Sequence, residues 1–152
     1  MEIERLAATE ENGLLVGTFL AQTFAQEHRF GTQAATGINT DRAWQHIWEM
    51  FTDGAVWIAR DDDGTAGSIS VCRKELWWTD RPYLGDGWLY VRPEKRGFST
   101  AMRLLDQADA YASELGLPLV INVLNSGKPE LVGKFLNRFG FTTLGGTYIK
   151  ER

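Results

Sequence analysis

The stretch Leu89-Tyr90-Val91-Arg92-Pro93-Glu94-Lys95-Arg96-Gly97-Phe98-Ser99-Thr100-Ala101 is where the chain changes character. Its first residues end a β-rich run that starts at Leu84. A short basic turn, Arg92–Gly97, then leads directly into a helix predicted over Ser99–Leu115. In that helix Ala101, Leu104, Leu105, Ala108, Ala112 and Leu115 form one apolar stripe, with Arg103, Asp106, Gln107, Asp109 and Ser113 outside it. Gly116 suits the position after the helix and Pro118 prevents continuation. A second apolar run, Leu119–Leu124, completes a strand–helix–strand unit, which pairs two parallel strands.

Towards the C-terminus, Pro129 stands near the start of another helix, with Leu131, Val132, Phe135, Leu136 and Phe139 inward and Gly140 at its close. Phe141–Leu144 and Thr147–Lys150 flank Gly145-Gly146, a good hairpin turn. Towards the N-terminus, Ile3 and Leu6 suit an opening strand. Asn12 is placed to cap a helix carrying Leu15, Phe19, Leu20 and Phe24, and Thr40 or Asp41 to cap one carrying Trp44, Ile47, Trp48 and Phe51. A polar loop, His28–Thr40, separates them. Ala55–Arg60 and Gly67–Arg73 read as a hairpin around Asp61-Asp62-Asp63-Gly64, whose three carboxylates suit a solvated turn better than a metal site. The expected fold is α/β, a mixed central sheet with helices on both faces.

Composition narrows the function classes. The 152 residues suit a single domain, 1–152, that is 43% hydrophobic and 24% charged. A net charge of −4 argues against a domain that grips nucleic acid by its phosphates. Cys72 is alone, so no internal disulfide and no cysteine-based metal site is expected. No apolar run approaches the roughly 18 residues of a membrane span, and the acidic start is not a signal peptide. A reduced, cytoplasmic protein is the expectation.

The basic turn is the chemical signal. The first N–H groups of a helix lack intrahelical partners and favour an anion. Gly97 permits close backbone approach, while Arg92, Lys95 and Arg96 add positive charge. A phosphate or pyrophosphate is the natural occupant; a tight turn with solvated basic side chains is the other reading.

This segment resembles the acetyl-CoA-binding motif of the GNAT (Gcn5-related) N-acetyltransferases, in which an apolar-x-Val-x-Pro-x-x-Arg-Gly strand precedes an Arg/Gln-x-x-Gly-x-Gly/Ala loop. Val91-Arg92-Pro93-Glu94, Arg96 and Ala101 match. Ser99 replaces the first loop glycine, and as a helix N-cap it would preserve the loop. The serine and the Gly-Gly-x-Tyr-x-Lys ending are similar to phage-encoded members. The likeness covers Leu84–Arg152; the first half agrees in element order alone.

The resemblance implies a GNAT acyltransferase fold with a splayed parallel strand pair, acetyl-CoA as co-substrate, no metal, and direct acetyl transfer to an amine. It assigns backbone hydrogen bonds to Leu89, Tyr90 and Val91, and the pyrophosphate loop to Arg96, Gly97, Phe98, Ser99, Thr100 and Ala101. Asp86 is the favoured general base, set against the reading of it as a plain turn residue in a Gly-Asp-Gly tip; Glu75 and Asp80 are weaker candidates, and a water-mediated base is the other route. The tyrosine that often protonates the departing thiolate is replaced by Leu136. Ser126 or solvent would substitute, with Asn122 or Asn125 orienting the thioester. That loss favours the competing class, a non-catalytic acyl-CoA-binding or protein-interaction module.

His28 and His46 read as surface or loop histidines, and Cys72 as a buried small hydrophobe. Trp77, Trp78 and Tyr83 suit either a covered loop or an aromatic rim at an acceptor pocket or homodimer contact. The acceptor itself is open.

Overall fold

The computed structural model describes residues 1–26, 39–122, 128–146 and 150. Among the described residues five strands lie side by side in chain order: β1 (Glu2–Arg5), β2 (Gly54–Asp61), β3 (Gly64–Glu75), β4 (Pro82–Val91) and β5 (Leu119–Val120). The first four run antiparallel to their neighbours, and β5 joins β4 in parallel.

Both faces of the sheet are covered, and β2 shows why. Its alternate residues Val56 and Ile58 are buried on one face, and Ala55, Trp57 and Ala59 on the other. Helices α1 (Glu10–Gln26) and α2 (Thr40–Asp53) cover the first face, packing Val16, Ile47, Met50 and Phe51 against it. Helices α3 (Phe98–Leu115) and α4 (Pro129–Arg138) contribute Leu104, Leu105, Ala108 and Leu136 to the second. The mixed α/β expectation is met.

Local details differ from the sequence reading. Asn12 lies inside α1 and donates its N–H to Thr9 Oγ1, so Thr9 is the capping side chain. Asn39, not Thr40 or Asp41, caps α2 by accepting the Arg42 N–H at 3.0 Å. Gly97, not Ser99, is the N-cap of α3. The segment 141–144 forms no strand, and residues 147–149 lie outside the described ones, as do residues 123–124 of the expected strand Leu119–Leu124. Leu115 and Leu131, expected inward, are exposed.

The Asp61–Gly64 turn is not simply solvated. Asp61 accepts the Asp63 N–H at 2.9 Å, and the Lys95 ammonium pairs with both carboxylates. The hairpin tip is thereby fastened to the 3-10 turn Pro93–Lys95 that follows β4.

Candidate functional site

The β3–β4 ladder slips by one residue beside the site. Ser70 faces Trp88 and Val71 faces Asp86, so Gly87 is the extra residue of a β-bulge. A Cβ on Gly87 would stand 2.5 Å from both Met50 Sδ and Ser70 Oγ, which explains the glycine. The bulge disturbs the ladder, and side-chain hydroxyls supply acceptors there. Ser70 Oγ accepts the Trp88 N–H at 3.2 Å. Ser68 Oγ accepts the Trp88 indole N–H at 2.9 Å and donates to the Trp57 carbonyl. Both serines are fully buried, so these bonds hold the bulge in one geometry.

On its other edge β4 pairs with β5 at only two positions, Leu84 with Leu119 and Gly85 with Val120. The Asp86 carboxylate takes over where that register ends. Its Oδ1 accepts the Asn122 N–H at 2.9 Å and the Asn122 side-chain amide at 3.1 Å. The Lys74 ammonium donates to the Asp86 carbonyl at 2.8 Å. Burial pushes the Asp86 carboxyl up from its ordinary value, and the Asn122 hydrogen bonds and the Lys74 charge oppose that shift. Asp86 is therefore a strand residue with a structured environment, which corrects its reading as a turn tip.

Asp86 and Asn122 line a cavity of about 950 Å³ beneath α1 and α2. Leu14, Leu20, Trp44, Trp88 and Tyr90 form much of its wall. His46, exposed on α2 as its reading as a surface histidine expected, lines it too, edge-on to Trp88 with ring centroids 6.1 Å apart. Trp44 and Trp48 are partly exposed and Met50 is buried in their place, so the buried stripe of α2 is rotated from the expected one. Glu75 and Asp80 do not line the cavity. His28, Asn125 and Ser126 lie outside the described residues. Trp77 and Trp78 stack edge to face at 5.4 Å, and at 92% exposure Trp77 contradicts the covered-loop reading. Cys72 is buried as expected, and burial raises its thiol pKa.

The helix start lies at the opposite end of β4. Gly97 adopts extended backbone geometry, the first turn of α3 receives no side-chain cap, and nothing stands within 4 Å of a Cβ at Gly97. Ser99 is exposed in that turn, while Thr100 is buried and donates to Met1 Sδ. Arg96 folds back, donating to the Val91 carbonyl at 3.1 Å and the Tyr90 hydroxyl at 3.3 Å. Arg92 turns the other way, over the Phe19 ring. The third basic residue, Lys95, is held by Asp61 and Asp63.

The buried Leu136 side chain belongs to the core on the α3 side of the sheet, so this position offers packing and no proton. Among the described residues, no group of three or more His, Cys, Asp or Glu side chains is placed to hold a metal, and no helix is long and apolar enough to cross a membrane.

Residues 52–143 match the family model described as an acetyltransferase (GNAT) domain. The chain belongs to the GNAT acetyltransferase family. No curated protein matches it in sequence. Solved structures resemble this GNAT domain throughout its length. The aminoglycoside N-acetyltransferase AAC(6')-Iy, solved in complex with CoA, superposes with a TM-score of 0.71 at 14% identity, over 99% of this chain and 93% of that one. A ribosomal-protein-alanine N-acetyltransferase from Brucella melitensis biovar Abortus 2308 gives 0.64 at 17% identity, over the whole of both chains. An aminoglycoside acetyltransferase from an uncultured soil metagenomic sample, solved with sisomicin, gives 0.66 at 12% identity, over 99% of this chain and 96% of that one. These likenesses establish the GNAT fold, with β4 and β5 as its parallel pair and the bulge beside the point where their pairing ends.

Proposed function

We propose that this GNAT domain transfers the acetyl group of acetyl-CoA directly to an amine. The observation that carries this reading is the end of β4–β5 pairing at Asp86, beside a bulge and a cavity large enough for a small ligand. The described residues fit the co-substrate. The open, uncapped first turn of α3 offers N–H groups from Gly97 to Ala101, and Arg96 a guanidinium, to a pyrophosphate. The backbone of Leu89, Tyr90 and Val91 is assigned to the pantetheine arm.

Acetyl-CoA supplies an activated acyl group as a thioester; the remaining work falls to the chain. Asp86 accepts the proton of the attacking amine, directly or through water, and its raised pKa makes it a better base than an ordinary aspartate. Backbone N–H groups at the bulge face the negative charge that develops on the acyl oxygen. The Trp88 N–H is not one of them, because Ser70 takes it. Asn122 and Asn125 orient the thioester, and Ser126 returns a proton to the leaving sulfur.

The buried Leu136 favours a second reading, an acyl-CoA-binding module without turnover. Release of free CoA in a mixture of primary amines separates the two. Amine-dependent release supports the transferase; acetyl-CoA binding without it supports the module.

A further inference from the structure

The cavity beneath α1 and α2 also has a character that selects among amines. Leu14 and Trp44 are 56% and 39% exposed, and both look into it, as do Trp88 and Tyr90. Large apolar side chains left open in a concave site are satisfied by an apolar ligand. Trp44 is braced for this role: its indole lies against α1 where a Cβ on Gly13 would come within 3.0 Å of it. Trp44 is therefore held between α1 and α2, facing the β4 side chains Trp88 and Tyr90.

The charges point the same way. Among the described residues the cavity is lined by one carboxylate, Asp86, and two cations, Arg42 and Lys74. Asp86 already accepts two hydrogen bonds from Asn122, and Lys74 donates to its carbonyl. One attacking amine has a partner there; a second or third ammonium would meet Arg42 and Lys74. Like charges brought together discriminate against the wrong ligand.

We infer that the acceptor is a primary amine carried on an aromatic body, with a single positive charge, and not a polyamine or aminoglycoside. This inference rests on the transferase reading and names its acceptor class. It is tested by comparing 2-phenylethylamine with spermidine and an aminoglycoside, both as acceptors and by calorimetric binding. The expected kcat/KM favours 2-phenylethylamine by about tenfold or more, within the range an apolar pocket supplies. Arg42→Glu, an exposed side chain whose backbone bond to Asn39 is retained, should narrow that preference several-fold by reversing the charge at the mouth. Equal or faster turnover of spermidine, or an unchanged ratio in Arg42→Glu, overturns the inference and leaves the transferase reading standing. If no amine is acetylated, the transferase reading fails by itself, and the binding order then decides: 2-phenylethylamine weaker than spermidine overturns the aromatic site.

Discussion

The Asp86 carboxylate accepts the Asn122 backbone N–H at 2.9 Å, just beyond the last β4–β5 register pair. A side chain thus stands where a parallel sheet would place a carbonyl. The same carboxylate faces the cavity, so strand pairing and the proposed proton acceptor share one oxygen-bearing group.

Asp86→Asn keeps an acceptor for the Asn122 N–H and removes the base. We expect kcat/KM to fall by about 10²–10⁴-fold near neutral pH. The deficit should shrink at high pH, where free amine is abundant. A mutant pH–rate profile overlaying the parent's would remove Asp86 from the mechanism.

Stability should move in the other direction. A carboxyl whose folded pKa lies above its ordinary 3.8 supports the fold fully below 3.8 and loses that contribution as pH rises through the folded value. Once ionised, the partly buried Asp86 carboxylate is therefore a cost. Asp86→Asn should melt at or above the parent temperature at pH 7, with the advantage gone below pH 3.8. Paired melting curves at the two pH values check this.

Gly87→Ala places a methyl group against Met50 Sδ and Ser70 Oγ. Overpacking of this kind costs about 1–3 kcal/mol. For a domain of this length each kcal/mol lowers Tm by roughly 2–4 °C. Activity should fall further than stability, because the bulge that aims the site is displaced. An alanine variant with parental melting and turnover would show the bulge to be dispensable.

Ser70→Ala leaves the Trp88 N–H without its acceptor in a buried setting. Such orphaned groups cost about 1–3 kcal/mol, read as a lower urea midpoint at unchanged slope.

Saturating acetyl-CoA tests the α3 terminus. A ligand at about 100 times its Kd stabilises by roughly 2.7 kcal/mol, or about 5–10 °C here. Arg96→Glu should abolish most of that shift. Ser126→Ala should lower kcat while leaving the acetyl-CoA shift intact. A melting curve unmoved by millimolar acetyl-CoA would end the co-substrate assignment.

The strand, basic turn and helix around Val91 were readable because every cue there is local: residue type, helical spacing and a glycine at the cap. What escaped was set by partners far along the chain. Gly85-Asp86-Gly87 has the composition of a turn, yet it lies in a strand because β3 and β5 pair with it on either side, and Met50 and Ser70 leave no room for a side chain at Gly87. The Asp86–Asn122 bond spans 36 residues and leaves no periodic trace. Trp44 reads as core from its spacing, and only the cavity explains its exposure. His46 carried no sequence signal, since its relevance depends on Trp88 lying opposite.

Lys95 gives its charge to Asp61 and Asp63, and those carboxylates hold its ammonium in the protonated form. The pyrophosphate site proposed at the start of α3 would then draw more on oriented backbone dipoles than on Lys95. Ionic strength screens exposed side-chain charges readily and helix N–H hydrogen bonds far less. Affinity for a pyrophosphate at α3 should therefore decline only gently with added salt, and replacing Lys95 by methionine should loosen the hairpin tip while hardly weakening the ligand.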